Sequence, residues 1–180
     1  MKSFLASSVL ALGLLTTPLM AQDGPPFGSD EDVAYAGLIW DVMVANNLVG
    51  ENSPSVKPND GGAPGHGAML ATLYSSGTIG DHTGDLIVKR NFGPADVTSD
   101  QILADPAKHL GAITVMYRRE AGFDEDNRNW FWVMFLPDGT VGKNPAGMQM
   151  AGLIAKGADV GCIACHSAEE DRVYTTDHLN

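Results

Sequence analysis

The sequence predicts an α+β fold, a mainly antiparallel β-sheet accompanied by a few helices. Two observations carry this expectation. Four runs rich in aliphatic, aromatic and β-branched residues fall between Met69 and Leu136. The connections between them are close-spaced and carry turn residues, which favours antiparallel neighbours over parallel crossovers.

The first element expected is a helix over Glu31–Val49. Ser29 or Asp30 can cap its start and Gly50 follows its end. Val33, Leu38, Trp40, Val42, Met43 and Val44 supply apolar faces for core contacts. Glu51–Gly67 reads as a long loop, dense in Pro, Gly and Asn, and His66 inside it reads as a solvated histidine. The strands follow. Met69–Tyr74 is the first. Asp85–Asn91 is the second, with Leu86, Val88 and Arg90 alternating against Ile87 and Lys89. Ala112–Arg118 is the third, with Ile113, Val115 and Tyr117 on one face. Asn129–Leu136 is the fourth, ended by the turn Pro137-Asp138-Gly139. A short helix is expected over Ser99–Leu103. Another is expected from Asn144 to Lys156, packing through Met148, Met150, Leu153 and Ile154 and stopped by Gly157. No internal repeat is visible.

The N-terminus sets the expected compartment. Met1-Lys2 is basic, Phe4–Leu15 is apolar, and Ala21-Gln22 offers a small-residue exit. This is the pattern of a secretory signal peptide over residues 1–21, too short for a membrane span, and it implies a periplasmic protein. Residues 22–180 then form a single domain, long enough to bury a core without disulfide staples. The formal net charge is −11, from 22 acidic and 11 basic residues. No basic patch suited to nucleic acid is present, whereas an acidic surface suits solubility or the steering of a basic partner.

The chemistry is concentrated near the C-terminus. The only two cysteines stand in Cys162-Ile163-Ala164-Cys165-His166. A disulfide between them would close a tiny loop and stabilise little. A thioredoxin-type pair belongs near the start of a βαβ unit, and a zinc site usually needs a second cysteine pair. The spacing fits covalent attachment of one haem c. Two thiols two residues apart can each add to a vinyl group on one porphyrin edge, and the adjacent imidazole then becomes the proximal iron ligand. The sixth iron position decides between electron transfer and small-molecule binding, and Met148 and Met150 are the candidate methionine ligands.

The order of elements carries a resemblance. Small cytochromes c are usually helical with the haem motif near the N-terminus, whereas here it follows a β-rich body. Gly84-Asp85-Leu86-Ile87-Val88-Lys89, Asn129–Phe135 with the turn at Asp138-Gly139, and Cys162–His166 followed by Asp171-Arg172-Val173-Tyr174-Thr175 together resemble the cytochrome P-460 family. That family includes the cytochromes c′-beta.

The resemblance implies a homodimer of mainly antiparallel β fold, and a five-coordinate haem with His166 on its iron. Some members oxidise hydroxylamine with nitric oxide toward nitrous oxide and bear a lysine bonded to a haem meso carbon. Lys89 falls on that position. The c′-beta members lack this bond and bind nitric oxide or carbon monoxide. Glu170, just after the haem motif, is the candidate acid for proton relay, and Trp130, Phe131, Trp132 and Phe135 are candidate walls of an apolar pocket. Two departures count against hydroxylamine turnover: Ala-Met-Leu-Ala-Thr replaces a strand that usually carries an arginine, and Arg90 stands where an acid is usual. The function expected is that of an exported mono-haem cytochrome acting on hydroxylamine or nitric oxide, with a redox partner protein. The alternatives are gas binding without turnover and simple electron transfer.

Overall fold

The computed structural model describes residues 26–61 and 65–174. The expected signal peptide lies outside these residues. Among the described residues no helix is long and apolar enough to cross a membrane.

Six strands form one antiparallel sheet in sequence order. They are β1 (Asn59–Asp60), β2 (Met69–Ile79), β3 (His82–Phe92), β4 (Leu110–Arg118), β5 (Trp130–Phe135) and β6 (Ala151–Gly152). The expected antiparallel α+β architecture is thus observed. All four expected strands are present, and β2 and β3 are longer because they are the two arms of one hairpin, paired from Met69–Phe92 to Ile79–His82.

Helix α1 (Asp30–Ala45) starts at Ser29, whose side chain accepts from the Asp32 amide while Asp32 bonds back to Ser29. This reciprocal cap satisfies amides that the first turn leaves open. The helix ends four residues before the expected Val49. Asn46 and Asn47 stop it: Asn47 takes a left-handed φ of 54°, and the Leu48 amide closes on the Met43 carbonyl. Helix α2 (Ser99–Ala104) matches expectation to within a residue, and a further turn, α3 (Pro106–His109), follows it. The haem-motif residues form the short helix α4 (Cys162–His166).

The helix expected over Asn144–Lys156 is absent. The Asn144 side chain instead accepts from the amides of Ala146 and Met148, making a turn, and Gly147 and Gly152 adopt left-handed φ. The chain runs back along β5, with Met134 and Met150 bonded through their backbones and β6 paired to Trp132 and Val133. A side chain that captures local amides and two glycines at positive φ outweigh the helical spacing of the apolar residues.

Both sheet faces are covered. Ala36, Ile39 and Met43 of α1 pack on Leu86, Val88, Ile113, Val115, Tyr117, Phe131, Val133 and Phe135. On the opposite face Ile87, Met116, Trp130 and Trp132 meet Phe27, Ile154 and Ile163, with Met148, Met150, Cys162 and Val173 against them. Two-sided burial explains why β5 reads Trp-Phe-Trp-Val-Met-Phe without polar alternation. It also separates the expected pocket walls: Trp130 and Trp132 face the haem-motif segment, whereas Phe131 and Phe135 belong to the α1 core. Arg90 is on the α1 side too, donating to the carbonyls of Pro54 and Leu48 and so tying the loop after α1 to the sheet.

Ile39 is fully buried beneath the sheet whereas neighbouring Leu38 is 47% exposed. Ile39→Ala is expected to cost about 2–5 kcal/mol in urea unfolding. Leu38→Ala should change stability by roughly 0.5 kcal/mol or less; equal losses would contradict the assigned orientation of α1.

Candidate functional site

The site is built on the sheet face away from α1. Lys89 projects there from the middle of β3, between Thr72 of β2 and Thr114 of β4. It is only 5% exposed. It is neither solvated nor paired with an acid: no ion pair or hydrogen bond meets its Nζ among the described residues. Burial lowers its pKa to about 8. The Cys162 thiolate would oppose this shift, but burial holds that thiol up at about 11. Cys162 is therefore neutral when Lys89 loses its proton, and burial decides the outcome.

His166 enters the same face from the end of α4 and is 4% exposed. Its Nδ1 lies 2.6 Å from the Arg172 carbonyl oxygen. A carbonyl only accepts, so Nδ1 carries the proton and Nε2 keeps a lone pair. Aromatic rings flank the imidazole, with Trp132 at 4.8 Å and Tyr174 at 5.1 Å between centroids. The tail that supplies the Arg172 carbonyl is itself fastened to the sheet. Trp130 Nε1 donates to the Asp171 carbonyl, Arg118 spans Asp85 and Asp171 while stacking over the Trp130 ring, and Tyr174 donates its hydroxyl to the Cys165 carbonyl. Burial is the largest influence on His166 and, with Lys89 adding to it, lowers its pKa to about 4.

A third base joins them. His66 is half-buried rather than solvated. Its Nδ1 donates across 3.3 Å to Asn91 Oδ1 and lies 3.3 Å from Thr114 Oγ1. Its ring centre stands 6.1 Å from that of His166. Burial, then Lys89, lowers its pKa. No carboxylate is among the charges acting on Lys89, His66 or His166. Nothing local in the sequence marked His66. Its partners lie on β3 and β4, so its place depends on strand register.

The other expected site residues lie around this cluster. Cys162 and Cys165 are both free thiols, the first half-buried and the second exposed. Met148 and Met150 pack in the apolar cluster that includes Cys162. Glu170 is exposed in a groove of about 460 Å³ lined by Tyr74, Ile87, Arg118, Trp130 and Val173. A second cavity, of about 330 Å³, lies between the loop after α1 and α2–α3, where Arg90, Phe92 and Ile102 line it.

The donor types present are those that a covalently held haem would need. Two reduced thiols and an imidazole with a free Nε2 stand on one short segment. Two further buried polar atoms on the same sheet face, Thr72 Oγ1 and Trp132 Nε1, have no hydrogen-bond partner. Leaving such atoms dry and unpaired is costly, and a bound group with polar edges would relieve it. In comparisons of the chain with known proteins, no family model, no curated protein and no solved structure matches it.

The buried lysine has a measurable cost. Between about pH 8 and 10.5 the unfolded chain holds the Lys89 proton and the folded chain does not, so stability rises with pH through that window. The burden is fully present at neutral pH and amounts to about 3 kcal/mol. In haem-free protein, Lys89→Met is expected to raise stability at neutral pH, with the advantage shrinking as pH climbs past 8. An advantage independent of pH would contradict the assignment.

Proposed function

We propose that the chain is an exported mono-haem c-type cytochrome of the P-460 kind, acting on small nitrogen species, hydroxylamine or nitric oxide, at the iron face opposite His166. One observation carries this reading. Lys89, from the middle of the sheet, and His166, from the C-terminal motif, meet in one buried cluster beside Cys162.

Each residue has a role in that reading. Cys162 and Cys165 hold the haem by thioethers. His166 is the axial ligand, turned by the Arg172 carbonyl so that Nε2 is the free nitrogen. A haem held there supplies an iron that exchanges single electrons and binds small ligands. Lys89 supplies a buried amine whose pKa, lowered to about 8, leaves a minor neutral and nucleophilic fraction near physiological pH. Trp132 and Met116 give the cluster an apolar floor that limits water.

A second reading is favoured by the position of Glu170. That carboxylate is exposed, in the groove lined by Arg118, Trp130 and Val173, and no carboxylate is among the charges acting on Lys89, His66 or His166. With the candidate acid there, binding of nitric oxide or carbon monoxide without turnover, as in the c′-beta members, needs only His166 and the apolar floor.

Haem-peptide mapping separates the two. Protein matured in a host that attaches haem c is digested and its haem peptides are weighed. The enzymatic reading predicts haem bridging the Cys162–His166 and Lys89 peptides, and the gas-binding reading predicts haem on the cysteine peptide alone. Both predict complete loss of covalent haem in the double variant Cys162→Ala, Cys165→Ala. Covalent haem retained in that variant would refute the attachment site.

A further inference from the structure

We propose that the cavity between the loop after α1 and helices α2–α3 is a binding site for a small monocarboxylate with a compact apolar body, held through its carboxylate by Arg90.

Two observations carry this. The first is the space itself. Its volume is about 330 Å³, which lies at the small end of the range for ligand pockets. Its walls are Val56 in the loop after α1, Phe92 of β3, Ile102 of α2, and Leu110 and Ile113 of β4. An apolar lining of this kind suits the body of an organic ligand and disfavours a strongly hydrated inorganic ion.

The second observation is the cation. Arg90 lines the cavity and is only 8% exposed. Its Nη1 and Nη2 donate to the carbonyls of Pro54 and Leu48. A guanidinium carries more N–H groups than these two bonds use, and no other acceptor meets them among the described residues. No acid balances the charge either. The ion pairs among the described residues involve Arg118, Arg119 and Lys156. Glu51 is the one carboxylate in the cavity lining; it is exposed and forms no ion pair with Arg90. Burial accordingly lowers the Arg90 pKa with no carboxylate opposing it.

Fastening the loop accounts for the two carbonyl bonds. It does not account for the space beside the guanidinium or for the unbalanced charge. A buried cation without a counterion is costly. A carboxylate supplies the missing charge and accepts paired N–H bonds from the guanidinium fork, and the apolar walls take up the rest of the ligand. Lys89 and Arg90 are neighbours on β3 and point to opposite faces, so this site is separate from the cluster of Lys89, His66 and His166. It does not depend on the haem reading.

The test titrates benzoate into the mature protein by calorimetry, with benzyl alcohol as the uncharged counterpart. Saturable one-to-one binding of benzoate is expected, at least about tenfold tighter than that of benzyl alcohol. The absorption of any haem present should not change along the titration. Arg90→Met should weaken benzoate binding by about tenfold or more. Because Arg90 also ties the loop, a second variant carries the test if the first fails to fold. Leu103 lines the cavity and is 42% exposed. Leu103→Asp should therefore melt as the wild type does, yet weaken benzoate binding severalfold by setting a negative charge in the wall. Absence of saturable benzoate binding, equal affinity for benzyl alcohol, or benzoate binding indifferent to both variants would overturn the assignment. So would a haem spectrum that follows the binding curve, since that would place benzoate at the iron.

Discussion

Burial of the sheet on both faces is the constraint from which the site follows. A single antiparallel sheet with one wet face would leave Lys89 in water, where a lysine costs nothing. Here α1 closes one face, and the chain from Met148 to Val173 closes the other. Alternation along β3 then sends Leu86, Val88 and Arg90 toward α1, and Ile87, Lys89 and Asn91 toward the haem motif. Arg90 is accommodated by two loop carbonyls. Lys89 has no such partner and bears the cost of its burial uncompensated.

The second face is closed by a polar clasp as much as by apolar contact. Trp130 is the pivot: its ring packs in the sheet core, its Nε1 holds the Asp171 carbonyl, and Arg118 lies over its face while gripping Asp171. The next carbonyl along, that of Arg172, orients His166. A residue at the start of β5 thereby fixes the rotation of an imidazole at the far end of the sequence. Arg172 itself sits at φ 61°, a costly conformation for a residue with a side chain, and its guanidinium bonds to the carbonyls of Ser167 and Asp126 hold it there.

The strands were legible in the sequence as short apolar, β-branched and aromatic runs between turn residues, and in β4 alternation also gave the faces. Ile113, Val115 and Tyr117 share a face as expected. What alternation could not tell was which face meets which cover, and so Phe131 and Phe135 were grouped with Trp130 and Trp132. The segment after β5 misled for a local reason. Met148, Met150, Leu153 and Ile154 fit a helical stripe, but Asn144 and the glycines at 147 and 152 commit the backbone to turns. His66 was illegible because its partners, Asn91 and Thr114, become neighbours only through the pairing of β3 with β4. The cysteine–histidine motif is contiguous in the sequence, and the structure adds the carbonyl that orients its histidine.

The central claim is that Cys162, Cys165 and His166 hold one haem. The intact mass of the mature protein, exported by a host that matures c-type cytochromes and measured under denaturing conditions, tests it most directly. The account predicts the mass of the processed polypeptide plus one haem that denaturation does not release. A bare polypeptide, with Cys162 and Cys165 free or joined to each other, would contradict it.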